Sequence, residues 1–248
     1  MSSEFTTLLV EYGPDRVHVQ LNRPSRRNAI DQTMIDELHL LCGELERGPR
    51  ILILSGTNGV FASGADIAQL RERRAEDALK GINSTLFGRI ARLPLPVIAA
   101  IDGWALGGGA ELAYAADFRI ASTTARLGNP ETALGIIPAA GALWRLAALV
   151  GEPVAKEIIL AGRILNAAEA LAVHLVTEVH EPGALLAAAH ALADRIAKQD
   201  PLATQLAKEV FHVPASEHPL ADNTAQSRLF ESEEKFARMT AFLERNKR

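Results

Sequence analysis

The chain has 248 residues, 48% of them apolar, and a net charge of −4. That length can bury a sizeable core, so one globular domain or one domain with a small appendage is expected, and the lack of a basic excess argues against a nucleic-acid partner. A single cysteine, Cys42, excludes an internal disulfide framework, suits a reducing cytoplasm and reads as a small buried hydrophobe.

The start, MSSEFTTLLVEY, has neither the basic opening nor the long apolar core of a signal peptide. The longest apolar passages are broken by Asp102, Glu111 or Arg145, so none supplies the roughly 20 residues of a membrane span. Residues 7–11 and 16–21 read as two strands joined at Gly13-Pro14-Asp15, a hairpin in which His18, between Val17 and Val19, is expected on the solvent side. A loop carrying Arg23, Arg26 and Arg27 leads to Asp31, a predicted N-cap for a helix over 32–46. Residues 50–55, RILILS, predict a buried strand, and 56–59 a turn.

Phe61 to Ile67, FASGADI, is a run of small residues ahead of a predicted helix over 66–74. Small side chains let a ligand reach the backbone, and Ala65 falls where N–H groups lack helical partners, although SGAD alone would serve as a simple helix cap. Residues 68–93 mix charges and contain Gly81 and Gly88, which predicts a solvated, broken helical face able to act as a lid. Val97 to Ile101 is a buried-type strand, and Gly107-Gly108-Gly109 opens a helix over 110–116. Glycines there let another group approach closely, and the first-turn N–H groups favour negative charge. Glu111 lies inside this otherwise apolar helix. A first-turn Glu ordinarily serves the helix dipole, but a carboxylate between Ala110 and Leu112 is costly to bury without a partner or a task. Short strands at 117–121 and 125–127 lead to Asn129-Pro130-Glu131, which spells another helix start with a second carboxylate.

These motifs, FASGADI, PVIAAIDGWALGGGAEL and LGNPETALGIIP in that order, make the chain resemble the enoyl-CoA hydratase/isomerase (crotonase) family. The resemblance implies an α/β fold: a crotonase-like ββα spiral core over 1–195 with a C-terminal helical region over 196–248. It implies that the N–H groups of Ala65 and Gly108 form an oxyanion hole and that Glu111 and Glu131 are the catalytic carboxylates. Arg26, Ser63, Gly64, Asp66, Ile67, Gly107, Pro130 and Trp144 are then expected to border substrate, with Arg26 or Arg27 near the coenzyme A phosphates. The activity implied is hydration of a 2-trans-enoyl-CoA thioester. A double-bond isomerase, a thioester hydrolase or decarboxylase, and a non-catalytic acyl-CoA-binding protein are the alternatives. Coenzyme A would arrive within the substrate, so no cofactor or metal is expected, and the family usually assembles as trimers and pairs of trimers.

The chain departs from hydratases at 139–145, where Ala139-Ala140-Gly141-Ala142-Leu143-Trp144-Arg145 replaces a glycine-rich turn followed by Gly-Thr or Gly-Ser, Gln, Arg. A large ring at Trp144 could narrow an acyl pocket. His174 stands where relatives commonly have Gly and reads as a turn residue. Beyond 151 the pattern is mostly helical: 153–160, 167–172, a strand at 175–179, then 183–198, 201–210, 220–232 and 234–246. No HExxH, paired cysteines, phosphate loop or Gly-x-Ser-x-Gly elbow is present, and Glu111 would intrude on a dinucleotide pyrophosphate.

Overall fold

Leu8–Tyr12 (β1) and Arg16–Leu21 (β2) pair antiparallel as expected, in a computed structural model that describes residues 5–245. The chain then forms Ile51–Gly56 (β3), Val60–Ala62 (β4), Val97–Ile101 (β5), Trp104–Leu106 (β6), Phe118–Ser122 (β7), Arg126–Gly128 (β8), Leu165–Asn166 (β9) and Glu178–His180 (β10). One sheet runs β1-β2-β3-β5-β7-β10 and the other β4-β6-β8-β9. Each long parallel strand, β3, β5 or β7, is followed by a short one, β4, β6 or β8, in the second sheet. Repeating that step winds the chain into a spiral, the α/β core that was expected.

Parallel strands with both faces covered must be apolar on both. In β3, Ile51 and Ile53 turn one way while Leu52 and Leu54 enter the larger core. The first face also takes Ile98, Ala100 and Ile120 and is closed by Leu185, Ala189, Leu192 and Ala193 of the helix Pro182–Ala197. Those four share one helical face by spacing. The helix also covers His18, which is only 3% exposed, contrary to the solvent-side expectation. Its Nε2 lies 2.9 Å from Ser55 Oγ and its ring meets His190 edge-on at 5.8 Å. Alternation identifies the face of a strand, not what packs on it.

Helix α1 (Gln32–Arg47) starts where predicted, with Asp31 accepting from Met34 N–H at 2.9 Å. The mixed-charge stretch divides into α2 (Ile67–Glu72), α3 (Ala75–Lys80) and α4 (Ile82–Ala91), with Gly81 in the left-handed region between the last two. After α5 (Gly108–Tyr114), Asn129 caps no α-helix: Pro130–Leu134 is a single 3-10 turn. Ala142–Leu146 is a π-helical turn leading into α6 (Ala147–Val150) and α7 (Glu152–Leu160). The expected strand at 175–179 is displaced to β10 because α8 (Ala167–Ala172) ends in a longer turn.

That turn is a Schellman motif: Leu175 N–H donates to Ala170 O at 2.8 Å and His174 N–H to Leu171 O at 3.0 Å, with Leu175 buried beneath. It places exposed His174 at φ 60°, where a Cβ is strained. His174→Gly is therefore expected to stabilise the protein by about 1 kcal/mol; a lower thermal midpoint would refute the strain.

Helix α9 (Pro182–Ala197) runs two residues past the expected 195 boundary, and α10 (Pro201–Phe211), α11 (Leu220–Phe230) and α12 (Glu233–Arg245) follow. The predicted end of the last helix at Asn246 lies outside the described residues. Lys208 fastens α10 to the core, its Nζ donating to Asp117 Oδ2 at 2.6 Å and to Leu95 O at 3.1 Å. Helices α11 and α12 bury no residue, and Phe230, Phe236, Met239 and Phe242 are exposed.

Candidate active site

The three consecutive glycines bring β4, β6 and α5 together, and each is required for a different contact. Gly107 has φ 50°, and a Cβ there would stand 2.9 Å from Glu131 Oε1. At Gly108 a Cβ would meet Ala65 N at 3.4 Å, and at Gly109 it would overlap Ala62 O at 2.3 Å. The approaching groups are thus the protein's own backbone and the second glutamate. Neither Ala65 N–H nor Gly108 N–H has an acceptor among the described residues.

Both glutamates are buried and line one cavity of about 620 Å³ together with Ala65 and Gly108. Glu111 lies in the first turn of α5, and its Oε1 accepts from Ala140 N–H at 2.7 Å and Ala142 N–H at 3.1 Å. Those amides belong to the stretch that departs from the family pattern. Gly141, at φ 143°, turns the chain so that consecutive amides converge on the carboxylate, an anion nest. Even so, burial pushes the Glu111 carboxyl up to about 7, with the neighbouring Glu131 charge adding to the shift and the amides of the nest opposing it. Burial also raises Glu131, whose Oε2 has no hydrogen-bond partner among the described residues. Beneath the pair, Tyr114 OH donates to Asn129 Oδ1 at 3.1 Å and Asn129 Nδ2 to Gly107 O at 3.4 Å, which fixes the turn presenting Glu131.

A buried acid with a raised folded-state pKa binds more protons in the native than in the unfolded chain, so its ionisation lowers stability as pH rises from the ordinary carboxylate value through about 7. Glu111→Gln, which keeps an acceptor for the nest, is expected to stabilise the fold at pH 8 by up to about 3 kcal/mol. The gain should vanish below pH about 4. A thermal midpoint difference that is independent of pH would contradict the buried charge.

Of the other expected residues, Pro130 opens the turn carrying Glu131, and Gly64 accepts from Ile30 N–H at 2.8 Å. Asp66 caps α2 and pairs with Arg23 at 3.1 Å. Arg23 also pairs with Asp31, so Arg26 and Arg27 are the exposed arginines of that loop. Ser63 Oγ donates to Arg26 O at 3.4 Å, and Ile67, the first residue of α2, is exposed. Trp144 is not in the cavity wall. The π-helical turn directs Ala142 and Leu146 inward and leaves the Trp144 ring 53% exposed, with the Arg145 guanidinium 5.5 Å from its centroid. Within one chain, therefore, the ring does not narrow the pocket. Sequence reading missed Arg73 and Asn83, which line the cavity, and the amide nest around Glu111. Only Gly141 signalled the nest.

A spiral of paired strands that closes two buried glutamates and two free amides into one pocket defines the crotonase class of α/β protein. The enoyl-CoA hydratase/isomerase family profile matches residues 16–248. The chain is 36% identical to the short-chain-enoyl-CoA hydratase of Clostridium acetobutylicum, covering 98% of this chain and 97% of the relative. It is 37% identical to a probable enoyl-CoA hydratase of Rhizobium meliloti, covering 98% and 97%. Its fold matches the crystal structure of an enoyl-CoA hydratase from Bacillus anthracis with a TM-score of 0.91 at 34% identity, covering 97% of each chain. The protein belongs to the enoyl-CoA hydratase/isomerase family.

Proposed function

We propose that the protein is an enoyl-CoA hydratase, adding water across the 2,3 double bond of a 2-trans-enoyl-CoA to give a 3-hydroxyacyl-CoA. The observation that carries this reading is the second carboxylate. Glu111 and Glu131 share one cavity, burial raises both carboxyls, and the charge on Glu131 adds to the rise of Glu111. Hydration needs one carboxylate to take a proton from water and one acid to supply a proton to C2. A double-bond isomerase needs a single base.

In this reading the thioester oxygen sits between Ala65 N–H and Gly108 N–H. Attack at C3 moves charge onto that oxygen as an enolate, and each preorganised donor is worth roughly 3 kcal/mol there. Glu111, held by its nest, orients and activates the water, and Glu131 delivers the proton to C2. Arg26 or Arg27, neither tied into an ion pair among the described residues, would meet the coenzyme A phosphates. Ser63, Gly64, Asp66, Ile67, Gly107 and Pro130 shape the loops that carry these groups.

No dissociable cofactor enters this scheme, and the reaction belongs in the cytoplasm, where coenzyme A thioesters meet a protein with one buried thiol, Cys42. None of the helices among the described residues is long and apolar enough to cross a membrane. The uncovered apolar faces of α11 and α12 fit a homo-oligomer, a trimer or pair of trimers, in which the 196–248 region packs on a neighbouring copy. Crotonyl-CoA and a longer 2-enoyl-CoA test the activity: their conjugated absorbance should fall on adding enzyme, with or without a metal chelator. A folded protein that binds these thioesters but leaves the absorbance unchanged would sink the assignment, as would dependence on a metal.

A further inference from the structure

The wall of the cavity facing the free amides is not wholly apolar. Asn83, in the first turn of α4, places Nδ2 3.6 Å from the position a Gly108 Cβ would take, and Ala65 N stands 3.4 Å from that same point. The orientation of the Asn83 carboxamide follows from its partner. Arg73 Nη1 donates to Asn83 Oδ1 at 3.1 Å, and a guanidinium can only donate, so the oxygen faces Arg73 and the NH2 group faces away from it. Among the described residues Nδ2 has no acceptor of its own, and both Arg73 and Asn83 line the cavity. An amide whose oxygen is held by a cation is also a polarised, stronger donor.

We infer that Asn83 Nδ2 is a third hydrogen-bond donor to the thioester oxygen, beside the Ala65 and Gly108 amides, and that Arg73 is the positioning residue that aims it. This rests on the hydratase reading, since it presupposes that the thioester oxygen lies between those amides. The third donor adds positive field where enolate charge collects, so its contribution belongs to the transition state more than to substrate binding. Because Asn83 is half-buried on a helix, replacing it with leucine removes the donor with little disturbance to the fold. Arg73 acts through Asn83 rather than by touching substrate.

The test uses the full-length protein with crotonyl-CoA for rates and with a 4-dimethylaminocinnamoyl-CoA chromophore, whose absorbance shifts to the red when its carbonyl is polarised. Asn83→Leu should lower kcat by about 10- to 100-fold, leave KM within about threefold, and diminish the red shift of the bound chromophore. Arg73→Ala should reproduce a weaker version of the same changes, and Arg73→Lys, which can still donate to Oδ1, should restore most of the loss. A wild-type red shift that survives intact in Asn83→Leu, with unchanged kcat, would overturn the third donor while leaving the hydratase reading in place. The third donor is equally overturned if the variant changes only the preference among acyl chains, because Asn83 would then contact the chain and not the carbonyl. A wild type that neither shifts the chromophore nor hydrates crotonyl-CoA would instead refute the underlying reading.

Discussion

Replacing Glu131 by Gln is expected to lower kcat on crotonyl-CoA by about 10³-fold, and Glu111→Gln by a similar factor. The two carboxylates handle one water and one proton between them, so the double variant should be at most about tenfold worse than either single one, far short of the product of the two losses. The residual rates carry a second expectation. Burial raises Glu111 first, and the negative charge on Glu131 raises it further. Glutamine at 131 deletes that charge without emptying the space, so the Glu111 pKa should fall, and the acidic limb of the residual pH–rate profile should move to lower pH. A limb that stays in place, or moves up, would show that the two groups do not sense each other. A Glu111→Gln enzyme that keeps full activity on a 3-enoyl substrate while losing hydration would instead assign the scaffold to isomerisation.

Glu111 was legible in the sequence because a carboxylate inside an apolar helix calls for an explanation that no surface role supplies. Glu131 was legible as a residue but not in its setting. Asn129-Pro130-Glu131 spells a helix start, yet the Asn129 side chain bonds Tyr114 and Gly107 across the fold and the turn stops after five residues. The longer strands of the six-stranded sheet could be read, since β3 opens with the aliphatic run Ile51 to Leu54 and β5 is aliphatic throughout. Most of the second sheet could not: β4 and β6 have three residues each and β9 two, too short for an alternating pattern to register, and only β8 was legible, one residue early, at 125–127. The nest that holds Glu111 comes from backbone amides about thirty residues downstream, and backbone groups leave no side-chain signature. Arg73 and Asn83 were hidden for a different reason: on a charged, interrupted helical stretch, polar residues ordinarily mean solvent.

Gly109→Ala should be the most damaging single-methyl change in the site. A Cβ at 109 would lie 2.3 Å from Ala62 O, 2.7 Å from Ala62 Cβ and 2.8 Å from Ala62 C. Those are atoms of strand β4 and cannot rotate away as a flexible side chain would. Helix α5 must back off the strand, at a cost of about 3 kcal/mol, which for a chain of this size lowers the thermal midpoint by about 6–12 °C. The same displacement separates Gly108 on α5 from Ala65, three residues beyond Ala62, and a misplacement approaching 1 Å is enough for about a 10²-fold loss of rate. Gly108→Ala is milder, because its Cβ would meet Ala65 N at 3.4 Å, a contact a small shift can relieve. Gly183→Ala is the control: nothing lies within 4 Å of its Cβ position in the first turn of α9, so alanine there should be neutral or stabilise by up to about 1 kcal/mol. If the three variants melt together and retain equal rates, the close approach of α5 to β4 is not what holds the two amides in register. If they rank as the distances do, the glycines serve to seat one helix against one strand, and the carbonyl site follows from that packing.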